Sequence, residues 1–320
     1  MKKYRMCAVC APLIFDRQQK GTFDMYNTIE ELLERQRRTG TPLHRIILQN
    51  EMSLAGISEK EVYTRLKKRY EVMVASAKKA LFQPQSMVLG LIEGQASCQQ
   101  LYAGKQSICG PFLNELMAMA LSGSEVNASM GRICAAPTAG SCGILPAVLL
   151  SVSKRYGSSE HEILSALLVA AGFGAVITKN ATVSGAEGGC QAECGAAAGM
   201  AAAAAVALAG GDGEMAANAC GIALMNVMGL VCDPVAGLVQ LPCSYRNASG
   251  AVNAVLSADL ALAGQRTMIP VDQCIDAMYR VGKKLPGELR ETALGGIATQ
   301  PAGKEYAKQL QALTSGKKEG

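Results

Sequence analysis

Between Gly195 and Gly210 the chain reads GAAAGMAAAAAVALAG, and this run limits the fold more than any other stretch. Alanine is the strongest helix former, and a helix coated mostly in methyl groups lets its neighbours approach closely. Such a helix is apolar all round, so it belongs inside a bundle of other helices. Ile163 to Ile177 is similarly apolar. Both stretches are too short, or too rich in Ala and Gly, for a membrane span of about 20 strongly apolar residues, and they read as buried core helices. With 320 residues and 49% apolar composition, the chain can enclose a substantial core in one large domain, with or without a small appendage.

The rest of the pattern is helical too. Amphipathic helices are expected at Ile29 to Thr39, His44 to Met52 and onward from Ser58, where Ser58 and Glu61 make a capping box. Gln83 to Gly110, rich in Gly, Gln and Ser, reads as a linker or mobile loop. Beyond it, helices are expected at Pro111–Ser122, Ile144–Lys154, Glu160–Ile177, Gly195–Ala209, Glu214–Met228, Ala248–Ala263 and Val271–Lys284. Few segments alternate with period two, so the fold class is all-α or nearly all-α. The expected organisation is an N-terminal extension over residues 1–24 and a helical domain over 25–310. That domain comprises amphipathic helices at 25–82 and a core at 111–300, followed by a disordered tail at 311–320.

The extension carries Cys7 and Cys10 as a CxxC pair with no second pair at zinc-ribbon distance. A clean helical pattern begins after Met25, with Asn27 as the expected N-cap and Glu30 and Glu31 in the first turn, so Met25 reads as the true start. The formal charge of +5 is concentrated in that extension, where Lys2, Lys3, Arg5, Arg17 and Lys20 outnumber Asp16 and Asp24. Arg35 to Arg38 and Arg65 to Arg69 lie at helical spacing and read as solvated faces. With 4% aromatics and no Trp, there is no stacking platform for nucleic acid. Twelve cysteines without a secretory leader point to a reducing cytoplasm.

Polar residues after Gly110 gather in three loops: APTAGSCG (136–143), KNATVSGAEGGC (179–190) and CDPVAGLVQLPC (232–243). Gly185, Gly188 and Gly189 allow a backbone to approach a ligand closely, and Pro234 and Pro242 fix φ near two cysteines. The chain is shaped around Cys190, Cys232 and Cys243. Spacing alone would leave these as buried core cysteines, since free Cys is among the most buried residue types. Structural zinc takes four ligands in close pairs, and the two histidines, His44 and His161, lie far away in sequence. Three thiolates without a fourth suit an iron–sulfur cluster with one open iron, and residue types alone leave all three readings open.

From Met25 to Gly303 the chain resembles the α subunit of the bacterial iron–sulfur L-serine dehydratases (L-serine ammonia-lyases). The resemblance rests on EVNASMGRICAAPTAG (125–140), KNATVSGAEGGCQAE (179–193), GLVCDPVAGLVQLPCSYRNA (229–248) and DAMYRVGKKLPGELRETALGG (276–296). It implies that Cys190, Cys232 and Cys243 bind a [4Fe-4S] cluster. It also implies that an iron without a protein thiolate polarises the serine β-hydroxyl, a poor leaving group. Loss of water then gives 2-aminoacrylate, and hydrolysis gives pyruvate and ammonium. In this family a separate β chain or a fused β domain covers the cluster, so a β partner, a hetero-oligomer and inactivity of the lone chain are expected.

Substrate contacts are sought in the same motifs. Lys179, Ser184 and Thr138 are the catalytic candidates, and Asn127, Asn180, Arg246 and Asn247 the substrate-binding ones. Loop capping is an equal alternative for each, and Arg246 and Asn247 could instead tune the cluster. Neither histidine sits in a motif loop, which leaves the general base unassigned. Cys134, Cys142 and Cys194 read as small core residues near the site. Three other readings stand beside this one: a related L-cysteine desulfidase, a pyridoxal-phosphate dehydratase using Lys179, and a metal-binding structural subunit. The second lacks the alternating β and α segments it needs.

Overall fold

The computed structural model describes residues 26–315 together with the two-residue strand Cys7–Ala8. Its elements are α1 (Ile29–Thr39), α2 (Leu43–Ala55), α3 (Glu59–Lys79), α4 (Gln95–Ala103), α5 (Gly110–Ala128), α6 (Ile144–Tyr156), α7 (Glu160–Asn180), α8 (Gly185–Gly188), α9 (Ala196–Leu208), α10 (Gly213–Met225), α11 (Cys243–Leu262), α12 (Val271–Lys284) and α13 (Pro301–Ser315). The strand Cys7–Ala8 (β1) pairs in parallel with Cys134–Ala135 (β2), and a single bridge joins Cys232 to Arg290. The described residues hold no further sheet, so the fold is all-α in substance.

The alanine run forms α9 at the centre, packed by α6, α7, α10 and α11. Gln191–Leu208 is apolar enough to cross a membrane by length and composition, yet 94% of it is buried inside the fold, so its apolar surface is used in the core. Small side chains make that packing possible. A Cβ added at Gly199 would meet Cys220 Sγ at 2.9 Å, and one added at Gly143, between α5 and α6, would meet the Ala120 carbonyl oxygen at 2.2 Å. Ile29, Leu32, Ile47 and Met73 of the N-terminal helices share this core with Phe173 of α7, so α1 to α3 pack as part of the same body.

Local signals set most boundaries. Ser159 caps α7 in a reciprocal capping box with Glu162, and Ser58 accepts from the Glu61 N–H. At α1 the cap is Thr28, whose hydroxyl accepts from the Glu31 N–H, and not Asn27. Asn27 lies one residue earlier and its N–H donates to Glu31.

The largest departure from the sequence reading is residues 83–110, which contain α4 and are firmly held. The buried Glu125 carboxylate of α5 accepts from the N–H groups of Gln85, Gly94 and Ala96 at 3.2, 3.1 and 2.6 Å. The Gln240 side chain accepts from the Leu91 N–H and donates to the Val88 carbonyl. At the far end α13 runs to Ser315, five residues into the stretch read as a disordered tail. Residues 316–320, and the extension with Cys10 and the Cys7 side chain, lie outside the described residues.

Candidate functional site

Four segments meet around the three motif cysteines. Cys190 precedes a single π turn, Gln191–Gly195, that feeds α9. Cys232 is held by the C-terminal segment: its N–H donates to the Leu289 carbonyl, and its own carbonyl accepts from the Glu291 N–H. Cys243 opens α11, five residues ahead of the expected helix start. The three are 1%, 2% and 6% exposed. The three thus come from different points of the chain and are all buried.

Their electrostatics are coupled. The Cys194 thiol donates to the Cys190 sulfur and, helped by the Arg246 guanidinium, holds Cys190 below the usual thiol range against the effect of burial. Cys194, as the donor of that pair and fully buried, is pushed well above it. Burial also raises Cys232 and Cys243, and the charges of Cys190 and Glu193 add to it. Cys232 and Cys243 both feel the charge of Cys190, and among the described residues no group of three or more His, Cys, Asp or Glu side chains converges as a lone metal ion requires.

Polar side chains brace this centre. Arg246 donates to the Val231 carbonyl and to Asp233 at 2.8 and 2.7 Å, and the other Asp233 oxygen accepts from the Ile297 N–H at 2.8 Å. Asn247 donates to the carbonyls of Gly140 and Cys243 and accepts from the Gly143 N–H. Thr138 donates to one oxygen of Glu193, a carboxylate that is 9% exposed. Burial and the nearby Glu291 charge raise the proton affinity of Glu193, opposed by the bonds from Thr138 and Gly140.

Thr138, Arg246 and Asn247 thus reach the centre, although Arg246 and Asn247 are committed to intramolecular bonds. Ser184 is the N-cap residue of α8, half-buried on the loop leading to Cys190, and Asn127 is half-buried at the end of α5. Lys179 and Asn180 are not brought there: both side chains donate to Asn27, which ties the end of α7 to the start of α1. A Schiff-base role for Lys179 loses its motive, and beyond the two-residue pair β1–β2 the described residues hold no sheet to seat pyridoxal phosphate. His161 packs against Tyr63, and His44 lies in α2 among the N-terminal helices. Sequence reading overlooked Glu193, Asp233 and Glu291. All three stood inside the quoted motifs, and Glu193 is the one acid in an otherwise small and apolar helix entry.

Fold and site together define a helical protein whose buried cysteine centre is assembled from four chain segments. A family model described as serine dehydratase alpha chain matches residues 38–298, and the chain belongs to that family. It is 48% identical over 287 residues to the L-serine dehydratase alpha chain of Peptoniphilus asaccharolyticus, covering 89% of this chain and 98% of that one. It is 42% identical to the probable L-serine dehydratase alpha chain of Bacillus subtilis, covering 89% and 95%. Against L-serine dehydratase 1 of Escherichia coli the identity is 35%, over 85% of this chain and 61% of that protein.

Proposed function

We propose that this chain is the alpha subunit of a cytoplasmic L-serine dehydratase, a lyase that converts L-serine to pyruvate and ammonium. Cys190, Cys232 and Cys243 are its ligands for a [4Fe-4S] cluster, and a second chain completes the site. The observation that carries the reading is the gathering of three buried motif cysteines from three segments in a member of the serine dehydratase alpha chain family. Three thiolates without a fourth protein ligand suit an iron–sulfur cluster that keeps one iron open. The buried thiols of Cys232 and Cys243, beside Cys190, are costly to ionise unless a strongly cationic group joins them.

When bound, the cluster supplies a Lewis acid for the β-hydroxyl of serine. The chain's own residues do the rest. Arg246, fixed by Asp233, places positive charge beside Cys190. Asn247 holds the 136–143 loop against the first turn of α11, which keeps Thr138 beside Glu193. Thr138 and Ser184, on facing loops, are the side chains offered to the substrate.

Anaerobic purification with the second chain should give a brown protein, bleached by oxygen, that forms pyruvate from L-serine. Cys190→Ser, Cys232→Ser and Cys243→Ser should each lose cluster iron and activity, whereas Cys98→Ser and Cys274→Ser should keep both. A full iron complement in any of the first three overturns the ligand assignment. Sulfide from L-cysteine in place of pyruvate from L-serine overturns the substrate.

A further inference from the structure

Dehydration of serine needs a base at the α-carbon, and the base must sit within a few ångströms of the group that activates the β-hydroxyl, because the two substrate atoms are neighbours. Resting on the dehydratase reading, we propose that Glu193 is the catalytic carboxylate that takes the α-proton of L-serine, oriented by the Thr138 hydroxyl.

The geometry around Glu193 is specific. Its Oε1 accepts from Thr138 and is backed by Gly140, where an added Cβ would lie 2.6 Å away. Its Oε2 faces Gly185. One point of space, the absent Cβ of Gly185, lies 3.3 Å from Glu193 Oε2, 3.1 Å from Cys232 Sγ and 3.2 Å from Glu291 Oε2. Two glycines thus let the backbone pack closely against one carboxylate from both sides, and Gly185 stands equally close to a cysteine of the centre. Glu193 also lies on the single π turn of the described residues, and such turns inside helices recur at functional sites.

The other candidates are occupied or distant. Glu125 caps backbone amides beside α4, and Asp233 holds Arg246 and the Ile297 N–H. His44 lies on α2, and His161, at the start of α7, packs against Tyr63 of α3. Glu291 shares the notch at Gly185 but is exposed, whereas Glu193 is buried, where a carboxylate gains the proton affinity a base requires.

In the step, the Cα–H bond breaks and its proton passes to Glu193. The Cβ–O bond breaks, and hydroxide leaves with that proton as water. The carboxylate is regenerated and 2-aminoacrylate remains. Tautomerisation and addition of one water then release pyruvate and ammonium, with no change of oxidation state in the protein.

The test uses the iron-loaded chain with its second chain, under anaerobic conditions. L-Alanine, which lacks the leaving hydroxyl, serves as a probe: its α-hydrogen should exchange with D2O on the wild-type enzyme, as read by NMR. Glu193→Gln should retain cluster iron and the visible spectrum, abolish this exchange, and lower kcat for L-serine by about 10²–10⁴-fold. Thr138→Val, which keeps the carboxylate and removes its donor, should slow the exchange and keep the iron. It is the deciding variant if Glu193→Gln loses the cluster. Wild-type exchange rates in an iron-loaded Glu193→Gln, in Thr138→Val where that variant decides, or loss of exchange in Glu291→Gln alone, would overturn the proposal. A wild-type pair that forms no pyruvate overturns the dehydratase reading itself, a separate result.

Discussion

Asn247 is a single residue on which two parts of the site depend. Its amide spans from the Gly140 carbonyl at 2.6 Å and the Gly143 N–H at 2.8 Å to the Cys243 carbonyl at 2.8 Å, in a buried position where water cannot replace a lost partner. Asn247→Ala is therefore expected to destabilise the protein by about 2–4 kcal/mol, since it strands several buried backbone groups at once. Asn247→Asp should also destabilise it, because two of the three bonds need an N–H donor. Urea denaturation of the three proteins measures this, and a loss below about 0.5 kcal/mol for the alanine variant would show that the amide is not a brace. Sequence alone left Asn247 and Arg246 open between binding substrate and tuning the centre, because a polar side chain beside a motif cysteine looks the same in either role. What separates the roles is whether the polar atoms are already used, and their partners lie up to 107 residues away in the chain. Glu193 was hidden by the opposite circumstance, a single acid that nothing nearby in sequence pairs with.

Among the elements, residues 83–96 show most clearly where local pattern stops. Their composition reads as a loop, and the turns within the segment are short and irregular, with Leu89 at a positive φ of 62°. Order is imposed by Glu125, three of whose hydrogen-bond donors are backbone amides 29 to 40 positions earlier, and by Gln240 from the cysteine loop. By contrast α7 was legible to within a turn, because its cap, its apolar run and its basic last turn are all local. Glu125→Ala should release the segment while leaving the core helices intact. Amide exchange at Gln85, Gly94 and Ala96 is expected to accelerate by about 5–150-fold, the equivalent of 1–3 kcal/mol per stranded amide, with exchange in α9 unchanged. Unchanged protection at those three amides would mean that packing, not the carboxylate, orders the strap. Because Gln240 ties the same strap to the loop ending at Cys243, the variant should also loosen iron retention in the reconstituted protein.

The whole molecule presents a site that is built but not closed. Cys190, Cys232, Cys243 and Glu193 are buried, yet Glu291, beside the same glycine notch, is exposed, and Tyr245 and Leu294 stand open on the segments that carry Cys243 and Glu291. An elimination that passes through a water-sensitive enamine benefits from a cover that excludes solvent and fixes the substrate. The comparisons agree in size: relatives named as alpha chains are matched over nearly their whole length, whereas this chain spans 61% of L-serine dehydratase 1 from Escherichia coli. The longer protein thus has residues that this chain does not match. The chain alone, reconstituted with iron and sulfide, is therefore expected to hold its cluster and to turn over L-serine at least about 100-fold more slowly than the pair, the order of loss that misplacing a substrate by 1 Å brings. Titrating the second chain into the loaded alpha chain, with pyruvate formation and mass by light scattering followed together, should show activity rising in step with a stoichiometric complex. Full turnover by the alpha chain alone would mean that no second polypeptide is needed to complete the site.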